Sequence, residues 1–153
     1  MKAFLKENIF SILFVILLGL VFLLWGRLLF SEFFVHATQK NLETTADRVR
    51  CVESFGWQVD STSETEETVY IPNTFDAVWE RYNALQKMSG FDLTPYQGTS
   101  AKRYSYRALY FPGAEDAEVF IHILVSNHTF IGGDCMTVAL DGFMLPIDIR
   151  NLS

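Results

Sequence analysis

The stretch EVFIHILVSNHTFIGGDCMTVAL, residues 118–140, decides the fold. Its opening segment, Glu118–Ser126, carries Val119, Phe120, Ile121, Ile123, Leu124 and Val125. A short apolar run rich in β-branched and aromatic residues predicts a strand. Asn127-His128 reads as a hairpin turn. Thr129–Ile131 and Cys135–Leu140 follow as further strands, with Gly132-Gly133-Asp134 between them as a bulge or turn. Strands joined this tightly must run antiparallel.

Working upstream, Lys102–Phe111 alternates around Tyr104, Tyr106 and Ala108 and ends at Pro112-Gly113. Before it, Phe91–Gly98 contains Pro95 and Gly98 and reads as a structured turn. Phe75, Val78, Trp79, Tyr82, Leu85 and Met88 recur three and four apart, with Asn73 or Thr74 as a cap and Gly90 beyond the end. That spacing predicts an amphipathic helix whose stripe packs on a sheet; a stripe holding Trp and Tyr could also line a ligand groove.

Thr68–Ile71 alternates like a strand and stops at Pro72, and Trp57–Val59 reads as a short strand. The acidic, Ser/Thr-rich Asp60–Glu67 between them is expected to be a mobile loop. A first helix, capped by Thr44 or Thr45 with Glu43 and Asp47 near its positive end, runs to Ser54 and is stopped by Gly56. The order lacks repeated βα alternation. It predicts an α+β domain, an antiparallel sheet of about five strands with two helices packed on one face.

Ahead of this domain, Asn8–Gly26 is an uncharged run dominated by Ile, Leu, Val and Phe. At ~1.5 Å per residue it is long enough for one crossing of a bilayer. Residues 1–36 are therefore read as a cytoplasmic tip and a single transmembrane helix, embedded over residues 9–26, and residues 37–153 as an extracytoplasmic domain. Lys2 and Lys6 on the short leading side, against Arg27 alone after the run, put the N-terminus in the cytoplasm. The competing reading is a signal peptide cleaved near Ala37; bulky Phe33 and Phe34 and the length of the run weigh against it.

Charge divides at the same place. Residues 1–36 hold three Lys/Arg and two Asp/Glu of the chain's 12 and 18, which leaves nine against sixteen for residues 37–153. An acidic surface repels phosphate backbones, so nucleic acid is excluded as a partner.

No nucleophile elbow, phosphate-binding glycine loop, zinc-protease helix or calcium loop occurs, and no cofactor or metal is implied. Cys51 and Cys135 lack metal-ligand spacing; they read as small buried hydrophobes or, in an oxidising compartment, as a disulfide. His122 sits on the face opposite Ile121 and Ile123 as a half-exposed strand residue without a role, and His128 lies in the turn. Asp134 and Asp141, each beside glycine, bracket the last long strand; they read as turn residues or as an acid/base or cation pair.

Phe55-Gly56-Trp57, Tyr82-Asn83-Ala84-Leu85-Gln86, FDLTPYQG at residues 91–98, Gly132-Gly133-Asp134 and LDGFM at residues 140–144 occur in order. Across Thr44–Met144 the chain thereby resembles the bacterial family catalogued as domain of unknown function 4830. The resemblance implies an extracytoplasmic α+β fold on a signal- or single-span-anchored chain. It also implies a buried thiol at Cys51, where such sequences have an apolar residue. It carries no activity.

The expected function is a non-enzymatic, membrane-anchored module binding a protein, peptide or envelope component, at a sheet edge or an aromatic surface around Trp57, Tyr82 and Tyr96. The alternative is a small envelope hydrolase or cation-dependent enzyme using Asp134 and Asp141, with His128. A third reading is a regulator that occupies space in an envelope complex.

Overall fold

The computed structural model describes residues 14–22, 25, 39–111, 118–138 and 142–148. The chain divides into two compact units, Met1–Ala37 and Thr38–Ser153. In the first, residues 14–22 are helical. Among the described residues no helix is long and apolar enough to cross a membrane; of the expected span Asn8–Gly26, residues 8–13, 23, 24 and 26 lie outside them.

The second unit contains α1 (Thr45–Ser54), β1 (Val59–Tyr70), α2 (Ala77–Met88), a 3₁₀ turn (Thr94–Tyr96), β2 (Ser100–Ala108), β3 (Val119–Ser126), β4 (Thr129–Thr137) and β5 (Met144–Pro146). The strands form an antiparallel meander in the order β1-β2-β3-β4-β5. The domain is therefore α+β with five strands. Asn127 and His128 both take positive φ, 48° and 60°, the geometry that lets a two-residue turn join β3 to β4.

Local chemistry sets the helix starts. Thr44 and Asp47 form a capping box on α1, each side chain bonding the other's backbone N–H. On α2 the cap is Asp76, not Asn73 or Thr74: its carboxylate accepts from Val78 and Trp79 N–H, each at 2.9 Å. Phe75, just outside the helix, stacks on Trp79 with ring centroids 5.8 Å apart.

Asp60–Glu67, expected to be a mobile loop, belongs to β1. Its carboxylates face the basic strand β2, where Lys102 pairs with Glu66 at 2.6 Å, Arg107 with Asp60 at 2.8 Å, and Arg103 with Glu67. Cross-strand pairs of opposite charge favour pairing. The strand is irregular only between Asp60, opposite Arg107, and Thr65, opposite Ser105. There Glu64 turns inward.

Gly132-Gly133-Asp134 is likewise no turn, for it lies inside the unbroken β4. The bulge falls one residue earlier: Leu124 opposes Gly132 while Val125 opposes Phe130, leaving Ile131 unpaired. Close packing explains the glycines. A Cβ at Gly133 would come 2.6 Å from the His122 carbonyl oxygen, and one at Gly132 would come 2.7 Å from Gln86 Oε1.

The expectation that both helices share one face is also overturned. Ile121, Ile123, Tyr104, Tyr106 and Cys135 form one core with Cys51, Val52 and Phe55 of α1. On the opposite face Leu124, Ala101 and Ile131 pack with Trp79 and Tyr82 of α2. The cause is legible in β3, where buried residues run almost without alternation. A strand covered on both sides reads as a continuous apolar run.

Candidate functional site

Three residues of α2 reach two other parts of the domain, strand β4 and the turn after the helix. Tyr82 donates its hydroxyl to Asp134 Oδ2 at 2.7 Å. Asn83, buried, accepts from Leu93 N–H at 2.7 Å and donates to Asp92 Oδ1 at 2.9 Å, fixing the turn after the helix. Gln86, fully buried, accepts from Gly133 N–H at 2.7 Å through Oε1. The helix is thus pinned to β4 by polar bonds as much as by apolar packing.

Asp134 is 1% exposed and sits directly opposite His122, whose Nδ1 lies 3.1 Å from Asp134 Oδ1. Tyr82, Asp134 and His122 form one hydrogen-bonded chain across α2, β4 and β3. Burial, followed by the charge of Asp134, holds the Tyr82 phenol well above its ordinary range. His122 is buried at 8% exposure, not half-exposed as its alternation suggested. The face it points to is covered by α2.

Beside this chain α2 stands away from the sheet and leaves a groove of about 430 Å³. Its apolar walls are Val69 and Leu124 on the sheet, Val78, Trp79 and Leu85 on the helix, and Met144 of β5. Tyr82 closes one side, and the charged groups lining the groove are Arg81 and Arg103. Val78 is 63% exposed although it lies on the apolar stripe. The spacing predicted a stripe packed on the sheet; instead part of it lines an opening.

The two arginines differ. Arg81 is exposed, and its Nε donates to the Ala77 carbonyl. Arg103 pairs with Glu67, yet its Nε is buried with no hydrogen-bond partner among the described residues. A buried unpaired donor is costly unless something accepts from it.

The other sequence candidates fall elsewhere. Trp57 is 2% exposed, donates Nε1–H to the Ile147 carbonyl at 2.7 Å and stacks on Phe111; it is core under α1, not a binding surface. Tyr96 packs against the Ile71 and Leu93 cluster and lies outside the groove. Asp141 lies outside the described residues. His128 is exposed in the hairpin turn, six residues from Asp134, about 20 Å along a strand; it cannot serve that carboxylate. Tyr82 and Asp134 are the two candidates that meet.

Cys51 and Cys135 are free and buried. Burial pushes the Cys51 thiol up to about 12, and burial with the nearby Asp134 charge does the same for Cys135. Both point into the core under α1. Cys135 thus faces away from His122, and a Cys/His nucleophile pair is not formed.

Sequence reasoning missed His122, Arg81 and Arg103 as site residues. A polar residue inside an otherwise unbroken apolar strand was the available signal for His122, since a buried polar group needs a partner.

The geometry defines the class: a five-stranded α+β meander with a helix-walled groove beside a buried polar chain. Residues 51–134, more than half of the chain, match the family described as domain of unknown function (DUF4830), and the chain belongs to that family. No curated protein and no solved structure matches it. Of the residues that carried the resemblance, Tyr82, Gln86, Gly133 and Asp134 fasten α2 to the sheet, and Asn83 fixes the turn after the helix.

Proposed function

We propose that this protein is a membrane-anchored, extracytoplasmic binding module that takes up a protein, peptide or envelope component in the groove between α2 and the sheet. The observation that carries the reading is the groove itself, with apolar walls, a volume of about 430 Å³ and two arginines. Ligand sites are concave, mostly apolar and furnished with a few placed polar groups. The uncharged run Asn8–Gly26 and the lysines ahead of it support anchoring with the domain outside.

The test uses the full chain in its native cell. A photo-crosslinking amino acid at Val78 should capture one envelope component, whereas the same residue at exposed Thr68 on β1 should not. Equal yields from both positions, or none from Val78, would count against the groove as the site. A phosphatase reporter fused after Ser153 should be active; an inactive reporter would place the domain in the cytoplasm.

A second reading is favoured by the His122–Asp134 contact. A carboxylate at Nδ1 fixes the tautomer that leaves Nε2 free as a base, the arrangement hydrolases use. The small-hydrolase alternative would then run on His122 with Asp134, in place of Asp141 and His128. Among the described residues no group of three or more His, Cys, Asp or Glu is placed to hold a metal ion. Turnover of a panel of chromogenic esters and peptides that disappears in His122→Gln would support this reading; no turnover would leave the network as a structural pin.

A further inference from the structure

We propose that the occupant of the groove is an amphipathic monoanion, an apolar body of acyl-chain type ending in a carboxylate. The inference rests on the binding-module reading and names the ligand class for that site.

Three observations lead there. The walls offer the ligand almost nothing but apolar contact through Val69, Val78, Trp79, Leu85, Leu124 and Met144. The Tyr82 hydroxyl hydrogen is already given to Asp134, so it is not free for a guest. The charged donors in the lining belong to arginines: the exposed head of Arg81, and Arg103, whose buried Nε has no hydrogen-bond partner among the described residues; the indole N–H of Trp79 is a further, neutral donor. A site whose charged lining groups are both arginines calls for an acceptor, and charged arginine donors favour an anion.

Charge and volume narrow the class. Arg81 and Arg103 contribute two positive charges to the lining, and Glu67, paired to Arg103, and Asp134, bonded to Tyr82, offset most of that, so the surplus is small. That matches a carboxylate better than a phosphate dianion. At the ~30 Å³ occupied by a water-sized group, 430 Å³ takes roughly fourteen heavy atoms, about the size of dodecanoate.

The apolar body would lie between Leu124 below and Val78 and Leu85 above, with Trp79 against its side. The carboxylate would reach Arg81, with the Arg103 guanidinium beside it on the groove wall. Arg103 keeps its Glu67 pair, so binding does not strand a charge.

The experiment uses the full chain in nanodiscs of zwitterionic lipid, with a diazirine analogue of dodecanoate as the probe. After irradiation and digestion, mass spectrometry should find label on peptides spanning Val78–Leu85 or containing Met144. Unlabelled dodecanoate should suppress that label at least tenfold better than dodecanol or dodecylamine does. Arg81→Gln, an exposed change that leaves the fold intact, should raise the probe concentration for half-labelling by about tenfold; Arg103→Gln, checked for a native circular dichroism spectrum, should do the same.

Equal suppression by dodecanol, with no effect of either arginine variant, would overturn the monoanion while leaving an apolar binding groove. Label confined to residues 1–36 would overturn the proposal for this site altogether. The crosslinking at Val78 described above would still decide, independently, whether the groove binds anything.

Discussion

The two faces of this sheet are built from alternate residues of the same strands, yet one is sealed and the other is open. Under α1, Arg48 is 6% exposed and every side of it is occupied. It forks onto Glu64 through Nε at 3.0 Å and Nη2 at 2.7 Å, donates to the Glu43 carbonyl and lies 4.0 Å above the Tyr104 ring. Tyr106 donates to the same Glu64. Under α2, Arg103 keeps a buried Nε without a hydrogen-bond partner among the described residues, and Val78 borders the groove. The difference teaches that cations are fully partnered where the fold needs closure and left with free donors where a ligand could enter.

The strongest way to break this comparison is Arg48→Ala. Removing one partner of a buried ion pair leaves the other uncompensated, a loss of about 3 kcal/mol. Urea unfolding reads it; a loss under ~0.5 kcal/mol, the scale of an ordinary surface change, would mean that the sealed face is not held by this pair.

The neighbouring glycines sharpen the contrast. Gly133→Ala pushes a methyl towards the His122 carbonyl, Ile147 and Phe130 on the sealed side, and overpacking of that kind costs roughly 1–3 kcal/mol. Gly132→Ala meets the end of the Gln86 side chain and Leu93 on the open side, so it should cost less in the same urea titration. A reversed order would show that the α2 face is the tighter of the two.

Acid should act on the sealed face. Burial raises the Glu64 carboxyl, but hydrogen bonds from Arg48, Tyr106 and Thr45 outweigh it and hold the group below its ordinary value of 4.5. With a folded pKa below the unfolded one, the unfolded chain binds more protons as acid is added. The contribution is complete above the unfolded value and is lost as pH falls through the folded one. Stability measured from pH 6 to 3 should therefore drop, and in Arg48→Ala that drop should be shallower; parallel curves would exclude Glu64 as the source.

The smallest effect belongs to the open face. Val78→Ser, at an exposed position, should change stability by no more than ~0.5 kcal/mol, while weakening whatever the groove binds. A larger loss in thermal unfolding would show that Val78 is packed and that the groove is closed in solution.

Much of the fold was legible because its signals are local. The cap at Thr44, the stop at Gly56, the three-and-four spacing of α2 and the Asn127-His128 turn each act within a few residues, and each stands where the pattern placed it. Asp60–Glu67 was misread because its carboxylates look solvated until β2 sets Lys102, Arg103 and Arg107 against them. Gly132-Gly133-Asp134 was misread for a related reason: glycine that admits a neighbouring element looks in sequence like glycine that makes a turn.

The candidate site was less legible still. Tyr82 and Asp134 were both singled out, but nothing local joins residues 52 apart, or adds His122, 12 residues from Asp134. The sequence by itself determined the antiparallel α+β pattern, the caps and turns, the acidity of residues 37–153 and the apolar run before them, since these depend on composition and on periods of two and 3.6 residues. The tertiary structure alone decided which face each helix covers, and with it which arginine is buried in partners and which borders an open groove. Periodicity says that a side chain is turned inward; it does not say what it meets there.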